Sequence, residues 1–329
     1  MKKTLVALAA VAATSAAFAE VKISGFIDQA YNRTTLNGAT TTSIGSNIIG
    51  QDQITFGVSE DLGNGITAYG NIRVIPNVSE GAVFANDNSE VGIKGAFGNV
   101  AMGNQYSTMW GNLAAADATG FGGSIGNVHS SIQHFTVGKR NDVISYSLPT
   151  IVEGLSVSVE KANGGASTGV GDGTGYSIGY TIGGLKVNAA GIKARVSAAI
   201  DAMENGSAAI TPTSGSTTQT SGLAASYDLG LAAIYFGSAN SKNSTDADIK
   251  IATSMYGVSV PFGAITFGLG MSSSSVTKAD TSTVKETGTR MVVKYALSKR
   301  TTAYIVNGRS KDNGTAVSSQ TGLGVTHNF

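Results

Sequence analysis

Cysteine is absent from this chain, so no disulfide holds it, and its fold must rest on burial and backbone hydrogen bonds. Three histidines without any cysteine are a poor ligand supply for a metal, and no cofactor or metal is expected. Charge is scarce as well: Asp, Glu, Lys and Arg make up 13% of the residues. Leaving aside residues 1–19, the remaining 310 residues hold 20 basic and 21 acidic side chains, a formal charge of about minus one. Such balance provides no concentrated basic surface, which excludes nucleic acid as a partner. Beyond residue 19 there is also no apolar run of the roughly 18 residues that a membrane helix needs, so an α-helical membrane protein is excluded. Four prolines and one tryptophan stand against 44 glycines, an unusual balance for a soluble enzyme.

The start of the chain, MKKTLVALAAVAATSAAFAE, has two lysines, an apolar stretch from Leu5 to Ala13, and Ala17-Phe18-Ala19 before Glu20. A positive start, a short apolar core and an A-x-A site describe a secretory signal peptide over residues 1–19, leaving 20–329 as one domain.

That domain alternates by twos. In QDQITFGVS, Ile54, Phe56 and Val58 share one face and Gln53, Thr55 and Gly57 the other; in ITAYGNIRV, Ile66, Ala68, Ile72 and Val74 oppose Thr67, Tyr69, Asn71 and Arg73. Similar segments recur as pairs around short glycine-containing turns, separated by longer polar stretches such as NRTTLNGATTTSIGSN. From VKISGFIDQAYN to TGLGVTHNF the expectation is sixteen strands joined by eight long loops and seven tight turns. An even count is what a closed antiparallel barrel with both ends on one side requires. The face opposite the apolar one is mainly Ser, Thr, Asn, Gln and Gly, which suits a wet interior better than a soluble sandwich surface. Lipid offers backbone groups no partner, so the sheet must close on itself. The terminal strand, with Leu323, Val325, His327 and Phe329 on one side, is placed at the closing seam.

GFIDQAY, GVSEDLGNG, EVGIKGAFGNVAMGNQ, NDVISYSLP, YALSKRTTAY and a terminal Phe, in that order, make the chain resemble the general porins of Gram-negative outer membranes, especially the β-proteobacterial branch. The resemblance implies an all-β fold, a 16-stranded antiparallel transmembrane β-barrel, trimeric, whose loop 3 folds into the lumen. It implies passive diffusion of small hydrophilic solutes and ions across the outer membrane, with itself, outer-membrane lipids and lipopolysaccharide as partners. It also implies that the Phe329 strand is read by the barrel assembly machinery.

Loop 3 corresponds to YSTMWGNLAAADATGFGGSIGNVHSSIQHFTVG, and its one acid, Asp117, is the acidic constriction candidate; a helix-capping role is the alternative. Strand parity and the resemblance give Arg73, Lys94, Lys139, Arg290 and Lys294 as the basic wall, with a solvated rim charge as the alternative for each. Gln53 and Asn104 stand where relatives carry arginine, which implies weak ion selectivity. Trp110 and Tyr106 either stack on sugars or pack the loop against the wall. His129 and His134 lack the spacing of a metal site, and no catalytic residue is assigned. Two other functions fit the barrel less well: a substrate-specific channel, and a barrel hydrolase.

Overall fold

The computed structural model describes residues 19–78, 82–120, 125, 139–163, 170–196, 216–243, 249–277, 283–313 and 316–329. The expected signal peptide falls almost wholly outside them, as do His129 and His134. In chain order the elements are β1 (Glu20–Leu36), β2 (Ala39–Ser46), β3 (Gln53–Gly63), β4 (Ile66–Asn77), β5 (Ala82–Gly95) and β6 (Gly98–Tyr106). Helix α1 (Thr108–Ala114) follows, then β7 (Lys139–Ser147), β8 (Leu155–Asn163), β9 (Val170–Ile182), β10 (Leu185–Val196) and β11 (Thr217–Asp228). The last six are β12 (Ala233–Asn243), β13 (Lys250–Phe262), β14 (Ile265–Thr277), β15 (Thr283–Ala296), β16 (Thr301–Asp312) and β17 (Ala316–Asn328).

All seventeen lie in one closed sheet whose neighbours are antiparallel. Seventeen segments make sixteen crossings because β2 and β3 share one edge of β1. Residues Gln29–Leu36 of β1 pair with β2, and Glu20–Phe26 pair with β3. The stretch expected to be the first long loop is therefore mostly strand. Leu36 pairs with Ala39 around Asn37 and Gly38, whose φ values of 50° and 84° suit a two-residue hairpin turn. Between β2 and β3 the chain leaves the ladder at Asn47, with φ 60°, and rejoins it at Gln53.

The two faces of the sheet differ as the alternation requires. Ile72, Val91, Ile93, Tyr176, Ile178, Ile305 and Leu323 stand exposed on the outside, while Thr220, Thr253, Ser272 and Ser274 are buried on the concave side. Cross-strand hydroxyl pairs, Thr220 with Ser241 and Thr253 with Ser274, both at 2.9 Å, satisfy part of that inner surface.

The seam joins the first strand to the last. β1 and β17 pair from Phe26 with Asn328 to Leu36 with Ser318, and Gly25 and Phe329 exchange backbone hydrogen bonds of 3.0 and 3.1 Å. The Phe329 ring covers Gly25, where an added Cβ would stand 2.1 Å from the ring's Cζ. Leu323 and Val325 share its outward side, and His327 accepts or donates through Nδ1 to Thr301 Oγ1 at 2.9 Å. Gly25→Val should therefore disrupt the seam, whereas Phe329→Ala removes only a half-covered ring worth about 1 kcal/mol. The loss of heat-resistant folded barrel on electrophoresis, larger for Gly25→Val, checks this.

Candidate functional site

Inside the barrel, the segment after β6 lies along the inner wall. Ser107 caps α1, its Oγ accepting from Trp110 N at 3.2 Å, and Glu160 of β8 accepts from Thr108 N at 2.7 Å. Met109 and Leu113 are buried with Ala190, Ile192, Ala224, Ala239 and Met255 of the inner wall. The wall makes room by omitting side chains. A Cβ on Gly222 would come 2.8 Å from Leu113, one on Gly237 2.9 Å from Ala116, one on Gly257 2.8 Å from Ala118, and one on Gly268 2.9 Å from the Ala118 carbonyl. These glycines sit on β11, β12, β13 and β14, so Leu113–Gly120 crosses four successive strands in a furrow.

The break between β2 and β3 forms a second inward element. Asp28 Oδ2 accepts from the amides of Ile48, Ile49 and Gly50 at 2.8, 2.7 and 3.0 Å, and Tyr304 donates its hydroxyl to Oδ1. Asp28 N donates in turn to Asp52 Oδ1 at 2.6 Å, and Gln29 Nε2 to Asp52 Oδ2 at 3.2 Å. Three convergent amides around one buried carboxylate are a nest, here filled from within the chain.

Between the two elements lies a cavity of about 550 Å³, bounded by Phe26, Gly50, Gln51, Gln53 and Arg73 on one side and Trp110, Gly111 and Ala114 on the other. Tyr106 packs on Trp110 at 5.9 Å between centroids, and the Arg73 guanidinium stands 4.7 Å over the Tyr106 ring.

Of the residues singled out in the sequence, Arg73 lines this cavity but is ion-paired through Nε to the buried Asp87, which also accepts from the Tyr106 hydroxyl at 2.8 Å. Arg290 is fully buried and donates to the carbonyls of Gly120, at 3.3 Å, and Ile48. It ties the two inward elements together. Lys294 is half-buried, its ammonium beside Gly120, and Asp117 acts electrostatically on both cations. Asp117 does not cap α1: it follows the helix and accepts from Thr119 N and Oγ1, both at 2.7 Å. Lys94 is exposed at the turn end of β5, opposite Asn99 and 5.9 Å over Tyr69, away from the narrow zone. The Lys139 backbone pairs with Tyr106, and its side chain lies outside the described residues. Asn104 donates to the Asp87 carbonyl at 3.3 Å, and Gln53 faces the cavity. Sequence reasoning missed Asp28, Asp52, Asp87, Glu160 and Tyr304, although Asp28 stands in GFIDQAY. Among the described residues no group of His, Asp and Glu is arranged to hold a metal ion.

Residues 4–315 match the family model described as Gram-negative porin. The chain belongs to the Gram-negative porins. It is an outer-membrane protein, and its barrel is a diffusion channel. No curated protein matches it in sequence. In fold, this porin is similar to the anion-selective porin from Comamonas acidovorans, at 19% identity and TM-score 0.78, with 95% of this chain and 100% of that one covered. It is also similar to a loop L8 deletion mutant of OmpT of Vibrio cholerae, at 15% identity and TM-score 0.78 over 94% and 99% of the two chains. The trimer form of OmpT gives 14% identity and TM-score 0.74 over the same shares.

Proposed function

We propose that this porin is a passive, water-filled pore for small hydrophilic solutes and ions, weakly ion-selective, working as a homotrimer and catalysing no reaction. The carrying observation is the cavity between α1 and the β3–β4 wall, lined on the wall side by Gln51, Gln53 and an Arg73 already neutralised by Asp87. Charges fixed at a narrow, low-dielectric passage bias ion flow strongly only when they are not paired. Here Arg73 faces Asp87, while Arg290 and Lys294 feel Asp117 and Asp28, so the fields nearly cancel. The similar Comamonas protein is anion-selective, and the similar OmpT forms a trimer.

Residues 1–19 are removed on export in this reading, so the mature protein begins at Glu20, the first residue of β1. The Phe329 strand serves assembly, and lipid and lipopolysaccharide surround the wall.

The test is electrical. Purified trimers in a planar bilayer should give stepwise currents proportional to salt, with a reversal potential near zero under a salt gradient. Lys294→Gln should move that potential toward cation preference. A silent wild-type protein would overturn the reading, and current block by one sugar or phosphate would favour a substrate-specific channel instead.

A further inference from the structure

The concave side of the sheet is rich in hydroxyl groups, as at Thr220, Thr253, Ser272 and Ser274. The cavity between α1 and the β3–β4 wall departs from that pattern. Its volume of about 550 Å³ is bounded by three rings, Phe26, Tyr106 and Trp110, together with Ile49 and Ala114. Two of the rings are fixed by their surroundings. Phe26 lies over Gly50, where an added Cβ would stand 2.4 Å from the ring's Cε1, and Tyr106 is held by its hydroxyl on Asp87 and by stacking on Trp110. Ring surface facing a water path is unfavourable until something apolar covers it. A recess of about 300–1,000 Å³, mainly apolar and aromatic with a few placed polar groups, is the usual form of a small-molecule site.

The polar groups on the same cavity are mostly donors. Arg73 commits Nε to Asp87, one of the five N–H donors of a guanidinium. The Tyr106 hydroxyl engages Gln51 through Oε1 at 3.2 Å, which leaves Gln51 Nε2 as a donor. Among the described residues, Gln51 Nε2 and the Gln53 amide make no hydrogen bond within the protein. A solute matched to this wall therefore has an apolar ring at one end and acceptor oxygens at the other. A sugar fits less well, because its hydroxyls would bring further donors to a cluster of donors. Since Asp87 offsets Arg73, an anion is not drawn in by net charge and is held by hydrogen bonds and ring contact. Such binding is weak enough to allow release, which passage through a pore requires.

We propose that this cavity is a weak binding subsite for aromatic carboxylates, the ring covered by Phe26 and Trp110 and the carboxylate received by the Gln51 and Gln53 amides beside Arg73. The proposal rests on the reading of the barrel as a passive pore and adds to it a class of solute that pauses on the way through.

Trp110 is the chain's single tryptophan, so its fluorescence reports on this cavity directly. Titrating purified protein in detergent with benzoate should give a saturable change in emission. Cyclohexanecarboxylate, of similar size and equal charge but without a π-face, should bind roughly fivefold more weakly, as expected for loss of ring–ring contact. Benzyl alcohol, which keeps the ring and loses the carboxylate, should bind roughly tenfold more weakly. Gln53→Leu keeps the bulk and removes the amide, and should weaken benzoate roughly fivefold while leaving benzyl alcohol unchanged. If that variant fails to assemble, Phe26→Leu should narrow the preference of benzoate over cyclohexanecarboxylate. Equal affinity for those two acids in the wild type, or an emission change linear in benzoate without saturation, would overturn the proposal. Bilayer recording of the same preparation separates it from the channel reading. Protein that conducts but shows no saturable response has a pore without the subsite, whereas a saturable response from protein that carries no current would sink the pore and leave the subsite standing.

Discussion

Arg290→Met should give a channel with pronounced current noise, including excursions to lower conductance, and a barrel that unfolds at lower temperature. Arg290 is wholly buried, and its guanidinium donates to Gly120 on one inward element and Ile48 on the other. Methionine fills comparable space and donates nothing, leaving two carbonyls without their partner at about 1–3 kcal/mol for each one that stays buried. Asp28 and Asp117 also lose the cation that offsets them. A cost of about 3–5 kcal/mol is typical of removing one member of a buried charged set. The two elements do not respond alike. Ile48–Gly50 remain held by three amide bonds to Asp28, whereas the tether of Gly120 to β15 is gone. Leu113–Gly120 already lies on the wall, so release can only carry its end into the water path. Arg290→Lys keeps the charge and one donor and should fall between. Single-channel recording and thermal unfolding in detergent check both effects; wild-type noise together with a wild-type midpoint would show that Arg290 does not tether the loop.

The contrast between strand and lumen explains what the sequence disclosed. Ile54, Phe56 and Val58 mark β3 because side-chain direction in a strand is fixed by parity alone. The seam was legible for the same reason: a terminal Phe in phase with Leu323 and Val325 must share their outward side. The hairpin at Asn37-Gly38 was also written plainly, as an Asn-Gly turn between threonine-rich runs, but its polar character made it read as loop. Asp28 is different. Its three amide partners come from residues 20 to 22 positions later, and nothing local in GFIDQAY distinguishes a nest-filling carboxylate from a lumen charge. The same holds for Arg290, whose burial is invisible in its own strand, because Ile48 and Gly120 are 242 and 170 residues distant in sequence.

The glycine furrow was the least legible feature, and substitution within it should produce the second large effect. Gly222, Gly237, Gly257 and Gly268 each look like an ordinary weak point in a strand; only the ladder registers align them under Leu113–Gly120. Gly257→Val should lower the conductance of every open channel without adding noise. Its first new atom would stand 2.8 Å from Ala118 Cβ and 3.2 Å from the Leu269 carbonyl, and neither is the far end of a flexible chain. The segment must therefore shift away from β13, toward the cavity beside Trp110, at an overpacking cost of about 1–3 kcal/mol. Removing the opposing methyl provides the control: Gly257→Ala alone should show a smaller reduction, and Ala118→Gly added to it should restore the wild-type current. Because Arg290 still holds Gly120 in the valine variant, the displaced segment stays tethered, which is why a steady lower current is expected here and a fluctuating one from Arg290→Met. If Gly257→Val instead left the current untouched while destabilising the barrel, the segment from Leu113 to Gly120 would not be what sets the width of the pore.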